Sequence, residues 1–120
     1  MSTDRKELGN FGEQLVARWY EKHGFQIVDR QWRSRAGEID IVAKRLALVV
    51  FCEVKTRRSA AFGTPAEAVD WRKQMKIRKV AMDWLRSHEC SGMEIRFDVA
   101  CVFLAGKQKK FSCQVITNAF

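Results

Sequence analysis

Asp40, Glu53 and Lys55 interrupt two stretches, GEIDIVA and LVVFCEVKT, that otherwise read as strands meant for an interior. In the second stretch, strand alternation puts Val49, Phe51, Glu53 and Lys55 on one face and Leu48, Val50, Cys52 and Val54 on the other. Both faces begin apolar, so the strand is expected at the centre of a sheet covered on each side, where an uncompensated charge costs several kcal/mol. In GEIDIVA the same alternation sets Glu38, Asp40 and Val42 against Ile39, Ile41 and Ala43. Paired as a hairpin, the two strands bring Asp40 opposite Glu53. Two carboxylates at that range repel, and a hard divalent cation taken by oxygen ligands relieves them, with Lys55 neutralising charge when the cation is absent.

A third carboxylate, Glu13, lies at the margin of an apolar helical stripe that includes Val16 and Tyr20, and can reach the same cavity from the edge of the sheet. Carboxylates from three elements with Lys55 beside them suit metal-assisted phosphodiester hydrolysis. A cation polarises a phosphoryl oxygen and acidifies a water, and an amine positions that water or stabilises the developing charge. A buried ion pair bracing the sheet would account for Glu53 and Lys55 alone. It does not account for three acids around one lysine, which exceed neutrality. Glu38 shares the face of Asp40 and can bond backbone in the neighbouring loop. Asp98, with Arg96 on its own face, reads as a structural pair.

These groups need elements to hold them. Apolar residues at helical spacing from Asp4 to His23, stopped by Gly24, predict a first helix. Strands are expected over Phe25 to Arg33, Glu38 to Lys44 and Leu48 to Thr56. A second helix is expected from Pro65, in its first turn, to about His88, with Val69, Ile77, Val80, Ala81, Trp84 and Leu85 as its apolar stripe. Glu94 to Leu104 and Phe111 to Ile116 read as a closing hairpin around a basic turn, Lys107 to Lys110. A single crossover helix makes the third and fourth strands parallel, giving an α/β fold with a mixed central sheet flanked by two helices.

The chain has 120 residues, is 47% hydrophobic and carries a single proline, which predicts one ordered domain over residues 1–120 and excludes a disordered tail. Twenty-two Lys and Arg against fourteen Asp and Glu leave a net charge of +8, which suits a polyanionic partner. No apolar run approaches the roughly 20 residues of a membrane span, and the N-terminus has no apolar core of a signal peptide. The protein is therefore expected in the cytoplasm, without a membrane partner. Cys52, Cys90, Cys101 and Cys113 are scattered, with no ligand-spaced histidines, and read as free thiols in a reducing compartment.

Asp40 followed by Glu53-x-Lys55 resembles the D…(D/E)xK signature of the restriction-endonuclease-like PD-(D/E)XK nuclease superfamily, whose αβββαββ order matches the elements above. Ile39 stands where the name-giving proline does. More closely, FGEQLVARWYEKHGF, RSRAGEIDIVA, VFCEVKTRRSAAFGTPAEAV, RKQMKIRKVA, RFDVACV and the terminal NAF resemble the YraN family of bacterial proteins over essentially the whole chain, with a more distant likeness to Holliday-junction resolvases. The resemblance implies that Asp40, Glu53 and the Val54 carbonyl ligate Mg²⁺ or Mn²⁺, that Lys55 serves the attacking water or the transition state, and that Glu13 completes the acidic cluster. It also admits a homodimer, since junction resolvases make paired cuts.

Arg57 and Arg58, leaving the active strand, and Arg72, Lys73 and Lys76 on the second helix are the expected phosphate-backbone contacts. The loop around Gly63 opens onto the same edge. Trp84 is expected in the core, whereas Trp32 and Trp71 stack on unpaired bases only if exposed. The leading expectation is a metal-dependent DNA endonuclease, acting on branched or single-stranded DNA in repair or recombination. The alternative is a nucleic-acid-binding module without catalysis of its own, or a nuclease activated by a partner. Binding to a membrane surface is disfavoured because the second helix needs its apolar side for the sheet.

Overall fold

The structure, a computed structural model, describes residues 2–57, 69–105 and 110–120, with side chains described for 6–57, 69–103 and 111–120. Helix α1 (Ser2–Lys22) leads into strands β1 (Gln26–Ser34), β2 (Gly37–Arg45) and β3 (Leu48–Arg57), then helix α2 (Trp71–Arg86) and strands β4 (Glu94–Ala105) and β5 (Lys110–Ile116). The strands lie side by side in the order β1-β2-β3-β4-β5. Only β3 and β4 run parallel, the consequence of the α2 crossover, and the other pairs are antiparallel.

The expected architecture is therefore present, with β3 at the centre. Its two apolar faces supply two separate cores. Val49 and Phe51 pack with Ile77, Val80 and Trp84 of α2, and Val50 and Cys52 pack with Val16, Ala17 and Tyr20 of α1. Trp84 is in the core as expected, and its indole donates to Asp29 at 2.7 Å.

Two expectations need correction. Helix α2 begins at Trp71, because the Asp70 carboxylate accepts the Lys73 N–H at 2.9 Å and caps the helix there. Val69 is buried but precedes the helix rather than lying in its stripe. Pro65, the loop around Gly63, and the basic turn through Lys109 lie outside the described residues. The alternation in β2 also fails at one end: Ile39 joins the α2 core, although Ile41 and Ala43 face α1. The β2–β3 ladder stops at the Ile41–Cys52 pair, and beyond it β2 stays paired with β1 only. Between Ile41 and Ile39 the β1–β2 ladder also lacks its Gln31–Asp40 pair, and Gln31 adopts φ +50°, so the alternation is interrupted there.

The turn between β2 and β3 is a two-residue connection, Leu46–Ala47, closed by the Arg45–Leu48 pair. Leu46 adopts φ +52° at the exposed tip. Gly24, φ +84°, ends α1 as expected for a left-handed stop.

Candidate active site

The candidate site forms where β2 and β3 part. Asp40 follows Ile41 off the end of the ladder, and its Oδ2 accepts the Val54 N–H at 2.8 Å, filling the gap that a backbone carbonyl would occupy in a continued sheet. In a strand, the N–H and C=O of one residue point to the same side. The Val54 carbonyl is therefore turned towards the same gap. The cross-strand pair of Asp40 with Glu53 expected from alternation is not made, because the ladder ends one residue earlier; the two acids still line one hollow, and Asp40 feels the Glu53 charge. Glu53 is buried, and its Oε1 lies 3.5 Å from Lys55 Nζ and 3.3 Å from Lys73 Nζ.

Glu13 reaches the site through a close approach of helix and sheet. A Cβ on Gly12 would collide with the Thr56 hydroxyl and come within 3.1 Å of Thr56 Cβ and Cγ2, so glycine lets α1 lie directly on β3 at this point. The next residue, Glu13, is thereby buried, with Oε1 3.1 Å from Arg30 Nε and Oε2 accepting the Gln31 amide at 3.3 Å. Gln31 also donates to Asn10 at 3.1 Å and adopts φ +50°, a conformation uncommon outside glycine.

The charge balance is uneven. Glu13 has Arg30, Glu38 has Arg33 at 3.7 Å, and Glu53 has two lysines. Among the described residues Asp40 has no cationic partner. Burial, followed by the charge of Glu53 and more weakly those of Glu13 and Glu38, pushes its carboxyl up to about 7 against the opposing pull of the Val54 N–H. An oxygen-ligated divalent cation fits this donor set of two carboxylates and a carbonyl. Among the described residues no three His, Cys, Asp or Glu side chains converge as a ready-made metal cluster.

Two cavities meet at Asp40. A groove of about 790 Å³ runs past Glu13, Gln31, Val54 and Arg57, and a smaller hollow of about 140 Å³ lies between Glu53, Lys73 and Lys76 on the α2 side. The groove is also bordered by Lys6 and Arg33, which sequence reasoning did not single out. Of the expected nucleic-acid contacts, Arg57, Arg72 and Lys76 are exposed, Lys73 turns inward to Glu53, and Arg58 lies outside the described residues. Trp71 is exposed and Trp32 half-buried against the α2 core. Sequence reasoning also missed Gly12, Arg30 and Gln31. A glycine inside an otherwise helical stretch was the available signal for the first.

Asp98 belongs elsewhere. Fully buried on the α1 side, it takes two hydrogen bonds of 2.9 Å from Arg96, one of 2.6 Å from the Tyr20 hydroxyl and one of 3.0 Å from the Asn118 N–H. This is the structural pair expected, extended to two further elements. The four cysteines are free.

An αβββαββ chain with a mixed five-stranded sheet and acids at the split between its second and third strands has the restriction-endonuclease-like architecture of the α/β class. The chain belongs to the uncharacterised protein family UPF0102, whose model matches residues 12–102. It is 41% identical to a UPF0102 protein of Alkaliphilus metalliredigens, covering 96% of this chain and 98% of that one. To a UPF0102 protein of Rhodococcus opacus it is 47% identical, over 81% and 82% of the two chains. A Caldicellulosiruptor bescii relative is 42% identical over 96% and 98%. The family assignment agrees with the YraN resemblance read from the motifs. Among the described residues, no helix is long and apolar enough to cross a membrane.

Proposed function

We propose that this protein is a metal-dependent endonuclease hydrolysing DNA phosphodiester bonds, with branched or single-stranded DNA as the substrate class. The observation that carries the reading is Asp40. A carboxylate without a cationic partner among the described residues is held by the Val54 N–H in the gap between β2 and β3, close enough to Glu53 to feel its charge, with Lys55 beside Glu53. Asp40, Glu53 and the Val54 carbonyl would hold Mg²⁺ or Mn²⁺, with Glu13 completing the acidic environment. The bound cation would supply Lewis-acid polarisation of the phosphoryl oxygen and acidification of a water.

The chain's own residues do the rest. Lys55 offers an ammonium beside Glu53 to orient the attacking water or to stabilise charge developing on the phosphoryl group. Arg30 and Gln31 keep the Glu13 carboxylate in place. Arg57 and Arg58, with Arg72 and Lys76 of α2, would bind the phosphate backbone, and exposed Trp71 can stack on an unpaired base.

A second reading has its own support. Glu53 is already neutralised by Lys55 and Lys73, an arrangement suited to a nucleic-acid-binding module that cleaves nothing by itself or needs a partner to open the site. One experiment separates the two. End-labelled duplex, single-stranded, flap and four-way-junction DNA are incubated with Mn²⁺, Mg²⁺ or chelator, beside Asp40→Asn and Lys55→Ala. Metal-dependent cutting that both folded variants lose supports the nuclease. Retention of DNA without scission under every condition rejects it in favour of the binding module.

A further inference from the structure

Lys73 is not where a phosphate-binding lysine on a helix surface would be. Its ammonium lies 3.3 Å from Glu53 Oε1, slightly nearer than Lys55 at 3.5 Å, so one oxygen of a buried carboxylate carries two cations. The two differ in how they are held. Lys55 projects from β3 two residues from Glu53 and is 27% exposed; Lys73 comes from the first turn of α2 and keeps 43% exposure. It lies over the small hollow that Asp40, Glu53 and Lys76 share. A divalent cation settling against Asp40 and Glu53 meets both ammonium groups at short range, and repulsion falls hardest on the one with solvent to escape into. Lys73 has a long flexible stem on a helix surface that also bears Arg72 and Lys76, where a phosphate backbone would lie.

Resting on the metal-site reading above, we propose that Lys73 is a displaceable counter-ion of Glu53, which competes with the metal for that carboxylate and, once displaced, is handed to a substrate phosphate. It is a positioning residue that couples metal and phosphate binding. In the metal-free protein it occupies the acid. In the loaded protein it strengthens the grip on DNA. The coupling runs both ways, because an equilibrium in which metal frees Lys73 for phosphate is also one in which phosphate draws Lys73 off Glu53 and eases metal entry.

The test compares Mn²⁺ affinity, read by electron paramagnetic resonance, in the unaltered protein, Lys73→Gln, Lys76→Gln and Asp40→Asn. Single-stranded oligonucleotide affinity is then measured with Ca²⁺ or with chelator. Lys76 borders the same hollow and, among the described residues, pairs with no acid, so its variant removes an equal charge without removing the competitor. The expected result is that Lys73→Gln tightens Mn²⁺ binding about threefold or more relative to Lys76→Gln, and that it weakens oligonucleotide binding more with Ca²⁺ than with chelator. A lysine that only braced α2 would instead leave Mn²⁺ binding unchanged or weaker in Lys73→Gln, and that result overturns the inference. Asp40→Asn separates the two layers. If it abolishes Mn²⁺ binding while Lys73→Gln changes nothing, the metal reading stands and the counter-ion is refuted. If Asp40→Asn leaves Mn²⁺ binding intact, or no form binds Mn²⁺, the metal reading falls and the inference with it.

Discussion

The Asp40 carboxylate accepts the Val54 N–H at 2.8 Å, in the place where the β2–β3 ladder has just ended at Ile41 and Cys52. A side chain thus substitutes for the strand partner that Val54 lacks. The same bond holds an acid beside Glu53 and leaves the Val54 carbonyl facing the gap.

Burial and neighbouring acids push the Asp40 carboxyl up to about 7 from an ordinary 3.8. Between those values the folded protein keeps a proton that the unfolded chain has released, so stability in chelator should fall as pH rises from about 4 to 7 and stay low above that. Asp40→Asn removes the penalty and should be more stable than the unaltered protein at pH 8, by up to about 4 kcal/mol, but not at pH 4. Urea midpoints at the two pH values check this; parallel curves for the two proteins would refute it. Saturating Mg²⁺ should restore stability to the unaltered protein alone.

Gly12 is a contact residue. Gly12→Ala drives a methyl into the Thr56 side chain and should destabilise the protein by about 1–3 kcal/mol. Thr56→Ala removes the hydroxyl and Cγ2 and should recover part of the loss in the double variant. Additive effects in denaturant unfolding would mean that helix and strand are not in contact here.

Asp98 joins α1, β4 and the C-terminal segment through Tyr20, Arg96 and Asn118. Asp98→Ala leaves the Tyr20 hydroxyl and Arg96 without their acceptor and should cost about 3–5 kcal/mol. Tyr20→Phe removes one hydrogen bond and should cost about 1–2 kcal/mol. Equal losses for the two, measured by chemical denaturation, would deny Asp98 its role as the hub.

Lys55 should separate chemistry from stability. As a part-exposed partner of a carboxylate that also has Lys73, its loss leaves Glu53 paired. Lys55→Ala should keep the circular dichroism spectrum and lower metal-dependent cleavage by about 100-fold or more in single-turnover assays. A variant that cuts at the unaltered rate would remove Lys55 from the reaction.

Much of this protein is local enough to be legible in its sequence. Two apolar faces in LVVFCEVKT mark a strand covered on both sides, and that strand is central. The antiparallel β2–β3 hairpin and the parallel β3–β4 pair follow from alternation and from one crossover helix, whereas the expected cross-strand pair of Asp40 and Glu53 is not made, because the ladder ends at Ile41 and Cys52. Other features depend on where distant elements meet. No spacing places Lys73 on Glu53, because that requires the path by which α2 crosses β3 and the start of the helix at Asp70. The helix face of Glu13 predicts a cavity shared with Glu53, whereas Glu13 borders the groove beside Asp40 and Val54 and not the hollow that holds Glu53, and its partners Arg30 and Gln31 depend on how closely Gly12 lets α1 approach the sheet. Ile39 changes sides where β2 leaves β3 and its pairing with β1 is interrupted at Gln31 and Asp40. Periodicity is a property of one element and can be read along the chain; an ion pair, a close approach or the end of a ladder belongs to two elements at once, and only the tertiary structure decides it.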